Sequence, residues 1–598
     1  MSITPRGMSV QEAYRLYRDG GLFVNRRYQR KLVWTEEEKA KLIDSALKGF
    51  PIPLILLAER PTIHGGIGKY EIMDGMQRLN AIFSFIENGF PIDGKYFDLS
   101  EFARAKQIAE AGLFDSVDDG TPLLSPQECA DLLDYQLAVT IYPATEEDEI
   151  TEVFGRINSG GRQLSPQERR QAGVITPFAD MVRNISSELR GDASEEILFL
   201  FDMPEISIDS KRHAQGYGLE AEDTFWCKQG ILWVSQLRDS EDEDMVADIA
   251  ASILLDEPLA RSRERLDELY SRDSSLSEDI ERALTAYGLE RISEEIKVTF
   301  SVLRETIEAC SSEQNYLRSV VNPGSKNPIK ASFYAIFMAF YNLVIQQECS
   351  PDDPPGIMGA LRNHQQDMRS SAHYTLSADR TANIDKTIGL IQKFFVKKEP
   401  PLLRHGPGLA IDFENSLRRS RIETTRYEFK QGLLRLSPGR EFDNHLLPRL
   451  IETMCGIANL GPDSKGYLFI GVADKKSDAE RIKELYGIEP INVNERYVVG
   501  IDREVTQLNI TIDEYIDKIL GAIRTSDLSD PLKTQVLTHI DTVEYKGFSV
   551  IRVTMPTQSN VCFVGDDVFI REASSTIKVS GRKLLAVNEV FQNHATSS

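Results

Sequence analysis

The chain is poor in cysteine, and none of its cysteines forms a metal- or redox-type pair. Six are scattered over 598 residues, at positions 129, 227, 310, 349, 455 and 562, with no Cys-x-x-Cys. That spacing excludes a disulfide framework and a cysteine zinc site, and it fits free, buried thiols in a reducing cytosol. Histidine is scarce too, eight in all, and the combination of a His-Asn with a His-x-x-Pro is absent. His364, in RNHQQD, lacks the partners a histidine-based nuclease needs. The first residues, MSITPRGMSV, contain no apolar signal core. The most apolar run, ASFYAIFMAFYNLVI at 331–345, is too short and too interrupted to span a membrane and reads as a buried helix. A cytoplasmic protein with no membrane partner is expected. No internal repeat of useful length and no evident helix-turn-helix stands out.

What is present is a globular composition, 41% hydrophobic and 27% charged. The length predicts roughly three to five folded pieces. The net charge is −23, so a nucleic-acid binder of this balance must concentrate positive charge locally. Two stretches do so: residues 1–34 and residues 415–440 each carry seven Lys/Arg against two acids. The acids collect elsewhere, as in RDSEDEDMVADIAASILLDEP at 238–258, which reads as an exposed acidic connection.

Residues 1–95 alternate helix and strand. Thr35 followed by Glu38 is a capping box for a helix near 36–49. PIPLILLAE (51–59) is a strand candidate, and KYEIMDGMQRLNAIFSFIENG (69–89) reads strand, tight turn, helix, with Leu79, Ile82, Phe83 and Ile86 as the helical stripe. From about 100 to 395 the pattern is mainly helical. VKKEPPLLRHGPGLA (396–410) holds three prolines and two glycines and is the best linker. Beyond it, KGYLFIGVAD (465–474) should be a central strand, while VEYKGFSVIRVTM (543–555) and VCFVGDDVFIRE (561–572) read as hairpins with Lys-Gly and Gly-Asp-Asp turns. The expected architecture is an α+β multidomain chain: a domain at 1–180, a helical domain at 181–395, a linker at 396–411 and an α/β domain at 412–598.

Three N-terminal motifs carry chemistry: RRYQRKLVW (26–34), DGMQR (74–78) and FGRINSGGRQLSPQERRQA (154–172). Asp74-Gly75 turns the chain between a strand and a helix, whose free backbone N–H groups, with Arg78 one turn in, suit a phosphate. The third motif sets Asn158, Ser159, Gly160 and Gly161 among Arg156, Arg162, Arg169 and Arg170, an anion cradle by composition. Together and in this order the motifs resemble the DGQQR-motif family, ParB/sulfiredoxin-like domains of modification-dependent restriction enzymes of the GmrSD type and of phosphorothioate-sensing phage-defence proteins. The resemblance covers about 8–180 well and extends loosely to 395. Met76 departs from the family's Gln, while Asp74, Gly75, Gln77 and Arg78 are kept. The resemblance implies nucleotide (NTP) binding and hydrolysis that gates a nuclease, with Asp74 orienting a water or a metal and Arg78, Arg30 and Arg156 holding phosphates.

The second constellation is RIETTRYEFKQG (421–432) with Asp474, at the far end of the expected strand segment 465–474. Glu423, Glu428 and Asp474 are oxygen donors suited to Mg²⁺ or Mn²⁺, and Lys430, two residues from Glu428, shares its strand face. Glu423 and Glu428 are five apart, so on a regular strand they face opposite ways and converge only if the segment bends. ETTRYEFK, ANLGPDSKGYLFIGVAD and VFIREASSTIKVS (568–580) look like the Schlafen-type, AlbA-like domain over about 412–595. That resemblance places nuclease carboxylates on Glu423, Glu428 and Asp474 and the family lysine on Lys430. Leu460 stands where the family has Thr, and its Gly-Gly is opened to GPDSKG. Arg418, Arg419, Arg421 and Arg571 are read as nucleic-acid contacts.

Three functions compete. The first is an antiphage defence protein whose N-terminal nucleotide sensor controls a C-terminal metal-dependent endonuclease acting on RNA (tRNA-like) or DNA. In the second, the N-terminal domain is the NTPase or DNA nickase of a restriction system and the C-terminal domain only binds nucleic acid. The third is a non-enzymatic DNA-binding regulator. A homodimer is the expected assembly, since both resembled domain types often pair.

Overall fold

The computed structural model describes residues 4–26, 32, 34–60, 69–112, 114, 116–118, 120–143, 165–171, 176–191, 197–203, 220–271, 274–368, 376–398, 409–420, 424–462, 464–572 and 574–595. They divide into two units, Met1–Pro400 and Pro401–Ser598. Both mix helices with small sheets, and among the described residues no helix is long and apolar enough to cross a membrane.

The first unit is built on a six-stranded mixed sheet. Its strands are β1 (Thr4–Ser9), β2 (Leu22–Asn25), β3 (Ile55–Glu59), β4 (Tyr70–Asp74), β5 (Gln136–Pro143) and β6 (Ile197–Phe199), in the order β1-β5-β3-β4-β2-β6. β4 sits inside the sheet, antiparallel to β3 and parallel to β2. The strand expected at 51–59 begins only at Ile55; Pro51 and Pro53 cannot donate to a ladder. β6 pairs with β2 and so joins this sheet from beyond residue 180.

Three helices cover the sheet: α1 (Val10–Arg18), α2 (Glu36–Leu47) and α3 (Met76–Ile86). The Thr35–Glu38 capping box starts α2, with Thr35 N donating to Glu38 Oε2 at 3.0 Å and Glu38 N to Thr35 Oγ1 at 3.2 Å. α3 is buried beyond its expected stripe, since Asn80, Ala81, Ser84 and Phe85 are covered too, as befits a helix apolar nearly all round. Glu87, just after α3, is buried and accepts from Tyr14 Oη (2.9 Å) and Arg18 Nε (2.6 Å) of α1.

The helical remainder of the first unit corrects one expectation. The acidic stretch is not an exposed connection: Glu241–Leu254 is a helix with Asp242, Glu243 and Asp248 fully or almost fully buried. Each acid meets a cation from another helix. Arg190 binds Asp242, Arg380 Nη2 lies 2.7 Å from Asp248 Oδ2, Arg170 Nη1 lies 2.8 Å from Asp244 Oδ1, and Lys330 binds Glu241. Charge counted along the chain cannot register counter-ions brought in from far away. The apolar run at 331–345 forms the buried helix Lys330–Tyr341, continued by a π-turn.

The second unit centres on a four-stranded sheet, β14-β15-β10-β9, made of β9 (Tyr427–Lys430), β10 (Gly466–Ile470), β14 (Ile540–Tyr545) and β15 (Phe548–Met555). Both faces of β10 are covered. Leu468 and Ile470 pack with Leu450, Met454 and Ile457 of helix Leu446–Ala458, and Phe469 packs with Tyr427, Phe429 and Phe413 on the other side. Double burial is why the segment is apolar throughout. The β14–β15 hairpin turns at Lys546-Gly547, both at positive φ, as a two-residue hairpin turn requires. The second expected hairpin is different: around Gly565 Val564 makes isolated bridges to Asp567 and Leu528, and β16 (Val568–Glu572) pairs with the following strand β17 (Ser575–Val579). The remaining sheet joins β11 (Val472–Ala473), β12 (Ile491–Val493) and β13 (Arg496–Val498).

All six cysteines are free; Cys129, Cys455 and Cys562 are buried and the other three partly so. His364 is 3% exposed, held by Thr387 Oγ1 (2.8 Å) and Ser332 Oγ (3.3 Å), and burial pushes its imidazole down to about 4. The folded state therefore keeps His364 neutral, and the stability this confers is complete above about pH 6.5 and lost as the pH falls toward 4. The loss should reach about 3 kcal/mol. Chemical unfolding of the wild type and of His364→Gln across that window should give a flatter pH profile for the variant; superimposable profiles would exclude His364 as the cause.

Candidate functional site

The first candidate lies where β4 meets α3. Gly75 caps the helix at φ +101°, and a Cβ there would stand 2.5 Å from Ile55 Cδ1, so both conformation and space demand glycine. No side chain caps α3 and no acid lies in its first turn. Gln77 Oε1 accepts from Trp34 N at 3.3 Å, which brings the start of α2 beside the start of α3. Arg78 Nη2 lies 2.7 Å from Asp74 Oδ2, and Arg78 Nε is buried without a hydrogen-bond partner among the described residues. The side chain read as a phosphate holder and the one read as a water or metal orienter are thus paired with each other. Met76, the departure from the DGQQR pattern, points into the hydrophobic core, where an apolar side chain packs well.

Arg30, Arg156, Asn158 and Gly160 lie outside the described residues. The end of the third motif is described, and it corrects a reading. In helix Pro166–Gln171, Arg170 is buried, with Nε 2.5 Å from Asp267 and Nη1 2.8 Å from Asp244. Gln167 Nε2 donates to Tyr270 Oη at 2.9 Å. Arg170 thus anchors this helix to the helical region and does not flank an anion. Burial raises the Asp244 carboxyl to about 6, with Arg170 opposing the shift.

The second candidate lies on β9, the edge strand. Glu423 and Arg421 lie outside the described residues. Thr424–Arg426 form a 3₁₀ turn directly before β9, so the chain bends between 423 and 428. Glu428 and Lys430 share the face of their parallel neighbours Leu468 and Ile470, with Lys430 Nζ 2.5 Å from Glu428 Oε1. Arg571 of β16 reaches the same carboxylate, Nη1 to Oε2 at 3.0 Å, and also donates to Tyr427 O (3.2 Å) and Thr576 Oγ1 (3.0 Å). Thr576 in turn contacts Thr453 Oγ1 at 3.0 Å. Arg571 is 6% exposed, so it reaches Glu428 and not a ligand at the surface, a correction to its reading as a nucleic-acid contact.

Asp474 is held elsewhere. β10 ends at Ile470; the next residue, Gly471, has a φ of +110° that breaks the strand, and Val472–Ala473 join the other sheet. Asp474 pairs with Arg496, whose guanidinium lies 5.0 Å from the centroid of the Phe429 ring. Phe429 leaves β9 on the face opposite Glu428, so the two described carboxylates address different cations on different sides of the strand. Among the described residues no group of three or more His, Cys, Asp or Glu could hold a metal ion, and Glu428 with Asp474 alone does not fit Mg²⁺ or Mn²⁺. Arg418 is paired with Glu414 at 2.7 Å, and Arg419 ends the same helix, Leu409–Arg419.

Several residues that build this site carry no local signal. Glu504, fully buried, accepts from Leu433 N (2.7 Å), Leu434 N (3.2 Å) and Tyr515 Oη (2.6 Å), fixing the loop after Lys430. Burial, with Glu504 beside it, pushes the Tyr515 hydroxyl well above its ordinary range. Asn459 bonds Cys562 O and Phe569 O through Nδ2, both at 2.9 Å, and accepts from Cys562 N at 2.7 Å. It ties the end of helix Leu446–Ala458 to the segment that delivers Arg571.

Comparison with known proteins bears on the domain that holds the first candidate. Residues 10–175 match the family model described as GmrSD restriction endonuclease, N-terminal domain, a span that includes the Asp74–Arg78 turn. No curated protein and no solved structure matches the chain. The match supports a GmrSD-type N-terminal domain, and with it a link to restriction of phage; it leaves the second unit outside.

Gly75→Ala should cost about 2–4 kcal/mol, from the left-handed backbone and the collision with Ile55. Thermal unfolding of the first unit would register it, and an unchanged midpoint would show that the turn relaxes freely.

Proposed function

We propose that this protein is a restriction component whose N-terminal domain binds the phosphates of a nucleotide at the Asp74–Gly75–Arg78 turn, while its C-terminal unit holds nucleic acid. The observation that carries the reading is the turn itself: an uncapped helix start, a glycine that lets backbone approach a ligand closely, and an arginine in the first turn. The match of residues 10–175 to a restriction endonuclease's N-terminal domain supports it. On ligand binding Arg78 exchanges Asp74 for a phosphate oxygen, and Asp74 becomes available to orient a water. In this reading the N-terminal domain is the enzyme, an NTPase or DNA nickase.

A second reading keeps cleavage in the C-terminal unit, as a nuclease using Glu423, Glu428 and Asp474 with Mg²⁺ or Mn²⁺. The turn at Thr424–Arg426 favours it, because such a site needs the chain to bend there.

Calorimetric titration with ATP and GTP, followed by plasmid and tRNA cleavage with and without each nucleotide, tests both. Arg78→Ala should weaken nucleotide binding at least tenfold, the loss of a charge-assisted contact, and should abolish cleavage, whereas Glu428→Ala should not. Nucleotide affinity unchanged in Arg78→Ala would refute the first reading; cleavage lost only in Glu428→Ala would establish the second.

A further inference from the structure

One carboxylate on β9 is shared by two cations. Lys430 Nζ stands 2.5 Å from Glu428 Oε1, and Arg571 Nη1 stands 3.0 Å from Oε2. Their environments differ: the Arg571 side chain is 1% exposed, that of Glu428 14% and that of Lys430 32%. A guanidinium does not lose its proton in a protein, and a buried charge without a counter-ion is strongly unfavourable. Arg571 therefore claims Glu428, and Lys430 keeps a positive charge that no acid among the described residues balances. Asp474 changes nothing, being matched by Arg496. Two carboxylates, Glu428 and Asp474, stand against three cations, Lys430, Arg571 and Arg496, and the cation of the Glu428 pair that reaches solvent is Lys430.

We propose that Lys430, at the edge of the sheet, is a phosphate-holding site for a nucleic-acid backbone, positioned by Glu428 and Arg571, and that it acts without a metal ion. The proposal rests on the reading that the C-terminal unit holds nucleic acid. An isolated metal centre needs a surplus of negative charge, and the described residues supply the reverse. A phosphate backbone is the polyanion that suits a solvent-reaching cation in this setting: residues 415–440 carry seven Lys/Arg against two acids, and although Arg418 is paired with Glu414 and Arg435 with Asp443, the stretch stays basic. Lys430 sits at a defined height on that stretch. Its carbonyl accepts from Gly471 N at 2.8 Å, and the loop that follows it is clamped by Glu504, so the ammonium is carried by rigid backbone.

The test uses the full chain carrying Arg78→Ala, which silences the other candidate site. Binding of a labelled single-stranded DNA oligomer, and of RNA of the same sequence, is measured by anisotropy over a salt series, in EDTA and in MnCl₂. Binding should be equal in both. Adding Lys430→Ala should weaken it about tenfold and lower the salt slope by about one, Lys430→Arg should restore it, and Glu428→Gln, where circular dichroism shows it folded, should bind in EDTA at least as tightly as its parent. Parental affinity and slope in Lys430→Ala would overturn the inference alone. Binding that requires Mn²⁺ and disappears in Glu428→Gln would replace it with a metal centre. No binding by the Arg78→Ala parent under either condition would overturn the underlying reading. Inorganic phosphate competing as tightly as the oligomer would make free phosphate, and not the backbone, the ligand.

Discussion

A buried guanidinium cannot shed its charge, and that constraint decides where this protein's acids go. Arg190 draws Asp242 into the core, Arg380 draws Asp248, Arg170 draws Asp244, and Arg571 draws Glu428. Each pair joins elements far apart in sequence, so the helical region of the first unit is tied together through one acidic helix, Glu241–Leu254. Such pairs are weak evidence of net stability, because desolvation offsets much of the attraction. Their effect is on geometry: removing one partner leaves the other stranded, so the arrangement of elements is strongly specified.

The same rule shapes both candidate sites, with opposite results. At the Asp74–Arg78 turn the ion pair is local, four residues apart between the end of β4 and the first turn of α3, and the Asp74 side chain is 39% exposed. A pair of this kind is cheap to open, and a phosphate can replace the carboxylate without stranding a charge in the core. On β9 the pair is long-range and Arg571 is sealed in. Taking Glu428 away from Arg571 would leave a buried cation behind. The pair at the turn therefore opens at smaller cost than the pair on β9.

The hydrogen-bonded scaffold behind the β9 site extends the point. Asn459, Glu504 and Thr453 between them hold the loop after Lys430 and the strand that carries Arg571. Each spends its polar atoms on backbone or on a neighbouring hydroxyl, the usual way to keep buried polar groups satisfied. The rigidity of the site comes from these interior bonds, and its charge from the side chains at its rim.

Local chemistry was readable in advance wherever one segment contains the whole cause. The Thr35–Glu38 capping box, the Asp74-Gly75 turn between strand and helix, the doubly buried strand at Gly466–Ile470 and the Lys546-Gly547 hairpin all depend on residues a few positions apart. Even there, Pro51 and Pro53 shortened a strand and Gly471 sent another into a different sheet. Partnership between distant residues was not readable. That Asp242 lies buried against Arg190, that Arg170 anchors a helix, and that Glu428 belongs to Arg571 while Asp474 belongs to Arg496 follow from which elements the fold brings together. The amino-acid order determined the turns, caps and alternation because backbone sterics and hydrogen bonding act over a few residues. The tertiary structure alone decided the fate of each charge, because a charge is settled by its burial and by the nearest counter-ion in space.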